Sequence, residues 1–213
     1  MKDNMLTEML EKKYGKDEPI FYDDIIKLLE NYSRANICRL IKKAKEKQEL
    51  VQFSRGVYYI PHTTFFGTKS TINVEDIVVR KYLKNKDNIG TYCGTKLLNM
   101  FSITNQNAMT VEIVTNNEST RCRKINLCGR NFIIHKSRIK INSNNFGSYT
   151  ILQSFNDIDD QENIDDVSKN KILDFASDNN VTKNEIIEMS RLFPAKASKN
   201  MIRSGILNEI AWR

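Results

Sequence analysis

The chain has 213 residues, of which 40% are hydrophobic and 28% charged, with a net charge of +7. That is enough apolar material for a core and enough length for one large domain or two small ones. No apolar run approaches the roughly 20 residues needed to cross a bilayer. The opening MKDNMLTEMLEKKYG carries acids and no apolar core, which predicts a cytoplasmic protein without a signal peptide.

The charge is uneven. Residues 1–60 carry 12 Lys/Arg against 10 Asp/Glu, residues 61–142 carry 13 against 5, and residues 143–213 carry 8 against 11. No acid occurs between Glu118 and Asp157. The asymmetry predicts a polyanion partner for the first two-thirds, and the lack of a spanning apolar run predicts no membrane partner. The four cysteines (Cys38, Cys93, Cys122, Cys128) and two histidines (His62, His135) are scattered. Cys122 and Cys128, with His135 beyond them, lack zinc-finger spacing, so no metal and no cofactor is expected.

In chain order, Met5 to Lys13 reads as a helix with Met5, Leu6, Met9 and Leu10 on one face. KDEPIF is a connector. A second helix is predicted from Tyr22 to Asn31, with Asp23 and Asp24 in its first turn, where the helix dipole favours them. Ser33 is the natural N-cap of a third helix. There Ile37, Leu40, Ile41 and Ala44 face the core, while Ala35, Arg39, Lys42 and Lys43 face outward, flanked by Asn36 and Cys38. LVQFSRGVYYIP then reads as a tight hairpin with Ser54-Arg55-Gly56 at its tip.

Three helices and a hairpin are the order of a winged helix-turn-helix over residues 1–61. The third helix suits a major groove and Arg55 suits phosphate or the minor groove. The candidate DNA-binding residues are Ser33, Arg34, Ala35, Asn36, Arg39, Lys42, Lys43 and Arg55. After Pro61 the character changes. HTTFFGTKST is a linker with a strand expected at Thr64–Phe66, and NVEDIVVRKYLKNK is a helix capped by Asn73. Gly90 and Gly94 flank Tyr92 before a helix that reaches about Ser102. MTVEIVTNN, TRCRKINLCG and NFIIHKSRIKIN read as strands with turns at NNES and CGRN. Residues 146–213 read as helical, with Tyr149, Leu152 and Phe155 on one face and Thr182 as a cap. The expected fold is α+β: a winged helix, then a mixed domain over residues 62–213, strand-rich to about 142.

No phosphate-binding glycine loop and no Ser/His/Asp set is recognisable, so no catalytic residue is predicted and the chain is not expected to be an enzyme. Glu112 is the one conceivable nuclease carboxylate, and the DIDD run (Asp157–Asp160) reads as an acidic helix end or loop and not as a metal site.

Arg55-Gly56-Val57-Tyr58 with Pro61, then Tyr92, Gly94 and Leu98, then Thr104 and Gln106, then Thr115-Asn116, occur in an order that resembles the AbiEi-type antitoxins, transcriptional regulators of type IV toxin–antitoxin systems. The resemblance covers about residues 20–140. The chain departs from that pattern at Cys93, Lys96 and Met100-Phe101-Ser102. The resemblance implies a winged helix that binds double-stranded DNA, its own operator, and represses its operon. It also implies a second domain that counteracts a nucleotidyltransferase-type toxin without a stable complex. The basic stretch containing Arg121, Arg123 and Lys124 would then be the antitoxin surface, with RNA as a possible target. Two other readings stay open: a second domain that processes nucleic acid in a nuclease-like way, and a simple regulator with a ligand-binding domain. Acids gathered around Glu112 in the folded chain would favour the nuclease-like reading.

Overall fold

The structure is a computed structural model that describes residues 5–159 and 164–210. The chain divides into two compact units, Met1–Ile77 and Val78–Arg213. The composition changes after Pro61, but residues 62–77 stay with the first unit. Their Ile72 and Ile77 pack against Val57 and Tyr59.

The first unit holds α1 (Met5–Tyr14), β1 (Ile20–Phe21), α2 (Tyr22–Leu28), α3 (Arg34–Glu46), β2 (Val51–Ser54) and β3 (Val57–Tyr59). Leu6, Leu10, Ile25, Ile37 and Ile41 join the helices in one core, as the apolar periodicity requires. α2 stops at Leu28, short of the expected Asn31, because the Tyr32 N–H turns back to the Leu29 carbonyl. The Ser33 hydroxyl accepts the Asn36 N–H at 3.3 Å and so caps α3.

The three strands form an antiparallel sheet in the order β1-β3-β2. β1 lies in the segment expected to be only a connector; its two residues carry no readable alternation. β3 is buried on both faces, with Tyr58 on the helical core and Val57 and Tyr59 on Ile72 and Ile77. Gly56, at φ +76°, supplies the left-handed residue of the β2–β3 turn. The strand expected at Thr64–Phe66 is a turn instead. The Thr64 N–H bonds to the Thr68 carbonyl at 2.8 Å, which leaves Phe65 and Phe66 100% and 88% exposed.

Asn73 starts the next helix, α4 (Val74–Val78): its carboxamide accepts the Asp76 N–H at 2.9 Å, and Asp76 accepts the Asn73 N–H at 3.2 Å. The helix then widens into a π-helical turn, Val79–Leu83, and ends there, short of the expected Lys86.

The second unit is built on a four-stranded sheet of β4 (Gly90–Cys93), β5 (Val111–Thr115), β6 (Cys122–Leu127) and β7 (Arg130–Lys136), in the order β4-β5-β7-β6. β5 and β7 run parallel and the other pairs antiparallel. Cys128 and Gly129, both at positive φ, make the two-residue turn between β6 and β7. β4 was not legible as a strand: four residues run directly into α5 (Gly94–Met100).

α6 (Phe146–Asp157) is buried on all sides from Gly147 to Phe155, beyond the Tyr149, Leu152 and Phe155 stripe. Two of its buried hydroxyls are paired, Thr150 donating to Thr91 at 3.0 Å and Ser154 to the Ile151 carbonyl at 2.7 Å, whereas the Ser148 hydroxyl has no partner among the described residues. α7 (Asp166–Asp178), α8 (Lys183–Ser190) and α9 (Ala195–Ser204) complete a helical C-terminal region. Thr182 and Glu185 form the reciprocal cap of α8. The Asn200 amide donates to the Phe155 and Ile158 carbonyls and so satisfies the end of α6. The described molecule is therefore mixed α+β with a helical C-terminal region. Among the described residues, no helix is long and apolar enough to cross a membrane.

Candidate functional site

In the first unit, Ser33, Arg34, Ala35, Asn36, Arg39, Lys42 and Lys43 are all exposed on α3 or its cap, and Arg55 is exposed at the hairpin tip. The first turn of α3 holds no acid and its last turn holds Lys43 and Lys45. Lys42 reaches Glu46 only at 3.9 Å, both side chains well exposed, so that pair barely neutralises the face. Between the end of α3 and the hairpin runs a groove of about 520 Å³ whose lining includes Lys45, Arg55 and Lys69. Lys69 extends the predicted set, and it was unreadable because it sits beyond the hairpin in sequence. Ser33 is present but its hydroxyl is engaged in the cap.

In the second unit, the sheet register gathers residues that are far apart in sequence. Cys93 closes β4 directly opposite Glu112 of β5. His135 of β7 stands opposite Val114, two residues on from Glu112, so all three side chains share one face. His135 Nε2 and Glu112 Oε2 are 2.9 Å apart. Gly94, at φ +59°, turns the chain from β4 into α5 and donates its N–H to Asp157 Oδ2 at 2.7 Å. Asp157 Oδ1 accepts from Gln153 at 2.8 Å and Asn156 at 3.1 Å.

These groups line a pocket of about 510 Å³ whose walls also carry Arg121, Lys136, Arg138 and Lys196. Burial pushes the Asp157 carboxyl up, the negative charge of Glu112 adds to that, and the three donors oppose it. Burial also pushes the Cys93 thiol well up, reinforced by Asp157 and Glu112. The arrangement is an acidic floor under a cationic rim. It can hold a cation at the floor and an anion at the rim.

Of the residues expected to form one basic surface, Arg121 lines this pocket. Arg123 and Lys124 are exposed but alternate across β6, opposite Ile134 and Ile133, so they point to different faces. Arg123 is also held by buried Glu118 at 2.9 Å. One acid, Asp157 of the DIDD run, joins Glu112 in the pocket. Asp160 of that run lies outside the described residues. The pocket was hidden from linear reading because its donors come from three strands and a helix end.

The sequence pattern of one known family runs over the chain from residue 7 to residue 184. The chain belongs to that family, DUF6088, a family of unknown function. The DUF6088 match takes in α3, the hairpin and every pocket residue named above except Lys196 on α9. No curated protein matches the chain.

Proposed function

We propose that this DUF6088 protein is a cytoplasmic DNA-binding regulator of the AbiEi antitoxin type, whose first unit is a winged helix that binds and represses its own operator. The observation that carries this reading is the exposed cationic face of α3, capped by Ser33, beside a groove shared with Arg55. The order of α1, β1, α2, α3 and the β2–β3 hairpin supports it. In this reading α3 lies in the major groove, with Asn36 and Arg39 at base edges and Lys42 and Lys43 on phosphates. The second unit counteracts a nucleotidyltransferase-type toxin without a stable complex, with RNA as a candidate target for its basic residues.

A gel-shift series against salt tests the DNA-binding core of the proposal. The logarithm of affinity should fall linearly with the logarithm of salt, by roughly 0.9 per phosphate neutralised. Lys42→Ala with Lys43→Ala should flatten that slope by about 2 and weaken all sequences alike. Asn36→Ala or Arg39→Ala should instead change sequence preference. A folded chain with no salt-sensitive duplex binding would sink the reading.

One observation favours a second reading, in which the second unit processes nucleic acid. Glu112, Asp157 and His135 share a pocket rimmed by cations. Cleavage of DNA or RNA with Mg²⁺ or Mn²⁺ that Glu112→Gln abolishes would establish it, and inert substrates would remove it.

A further inference from the structure

The structure assigns a zinc-type metal site to Cys93, Glu112 and His135 in the second unit. One donor atom from each lies within 4.8 Å of the other two. The three are a thiol sulfur, a carboxylate oxygen and an imidazole nitrogen, which with the thiol deprotonated are the donor types that Zn²⁺ accepts in sites with an open fourth position. Around a tetrahedral zinc with bonds of about 2.0–2.3 Å, donors sit roughly 3.3–3.6 Å apart. The triangle therefore closes with shifts of about 1 Å, and Glu112 and His135, half-buried and already 2.9 Å apart, have the side-chain freedom to make them.

A second observation points the same way. Cys93 is 3% exposed and is a free thiol. It closes β4 at the wall of a polar pocket instead of facing only apolar neighbours. Its thiol makes no hydrogen bond among the described residues, so the sulfur lone pairs stand uncommitted at the pocket wall. On binding, the thiol proton leaves to solvent and the cation takes its place between two negative donors. Asp157, fixed by three donors, stays outside the ligand set as a neighbouring negative charge. The rim of Arg121, Lys136 and Arg138 leaves the fourth position to water or an anion. Cys122 stands opposite His135 in the ladder but falls outside the 4.8 Å group. The assignment does not rest on the DNA-binding reading.

The test is an anaerobic titration of the full, reduced chain with Co²⁺, followed by displacement with Zn²⁺. We expect one Co²⁺ per chain with a thiolate-to-cobalt charge-transfer band, and loss of the band when Zn²⁺ is added. Cys93→Ser should remove the band. Glu112→Gln and His135→Gln should each weaken Co²⁺ binding at least about tenfold. Cys38→Ser with Cys128→Ser should leave it unchanged. If Cys93→Ser does not fold, the two half-buried variants decide the matter. No band in the wild-type chain, a band that persists in folded Cys93→Ser or follows Cys122 instead, or unaltered affinity in both Glu112→Gln and His135→Gln would overturn the site.

Discussion

Gly94 shows how one residue can hold a pocket open. A Cβ built there would sit 3.1 Å from Glu112 Oε1, at a φ of +59° that side chains rarely adopt. Gly56 has a comparable φ of +76°, but its added Cβ meets only ordinary contact with Tyr22 at 3.9 Å. Each Gly→Ala change should therefore cost about 1–2 kcal/mol for the left-handed backbone. Gly94→Ala should cost more than Gly56→Ala in urea unfolding, because it also displaces Glu112. Equal costs would mean that Glu112 swings away freely. Most other residues behind the antitoxin resemblance are framework in this fold. Leu98 is core, Thr115 donates to the Ile89 carbonyl, and Asn116 fastens Ser137 and Ile141. Within the second unit these residues thus belong to the scaffold, while Cys93, one of the departures from the motif, lies on the pocket wall.

At the scale of elements, legibility followed length and local chemistry. α1, α3 and α6 to α9 were readable because several turns of apolar periodicity accumulate signal. The caps at Ser33, Asn73 and Thr182 were readable because a short polar side chain before a helix has a local reason to be there. β1 and β4 were not, since two and four residues give no period and their partners are distant in sequence. The Phe65-Phe66 pair misled because aromatic residues suggest strand, whereas the turn around them is fixed by Thr64 and Thr68. One cap also titrates. Asp165 accepts the Ser168 N–H at 2.8 Å, and that bond holds its carboxyl below the ordinary 3.8. A depressed folded pKa means stabilisation that is complete above the unfolded value and lost as pH falls through the folded one. Asp165→Asn keeps an acceptor without the charge. The melting temperature of the native chain should exceed that of the variant at neutral pH, and the gap should close as the solution is acidified below 3.8. A constant gap would show that the cap does not titrate with folding.

For the whole molecule, the division after Ile77 redistributes the charge. Residues 1–77 carry 13 Lys/Arg and 12 Asp/Glu, whereas residues 78–213 carry 20 and 14. The first unit is nearly neutral, so its DNA binding in the proposed reading rests on where cations sit on α3 and not on net charge. The second unit holds most of the excess and has its own core and pocket. A fragment of residues 1–77 should unfold cooperatively and retain the salt-sensitive duplex binding of the full chain. In the proposed antitoxin reading, residues 78–213 should protect cells from a nucleotidyltransferase-type toxin on their own. Protection that disappears with the first unit, from a fragment that still folds, would show that neutralisation depends on DNA binding.

β6 stands at an open edge of the second sheet, beyond β7, and all six of its residues are at least partly exposed. An uncovered strand is a template on which another copy can add its own strand and start a fibre. Lys124 on one face, with Arg121 before the strand and Arg130 beyond its turn, makes such stacking repulsive for like-charged copies, while Arg123 on the other face is paired with Glu118. These cations are therefore gatekeepers of colloidal behaviour, whatever they recognise. Changing Arg121 and Lys124 to glutamate keeps like charges along the strand and leaves the Arg123–Glu118 pair intact, whereas threonine at both supplies a more neutral strand of high β-propensity. The threonine variant should scatter light and bind thioflavin on standing at a concentration where the glutamate variant stays clear. If both stay clear, the edge is guarded by something other than its charge.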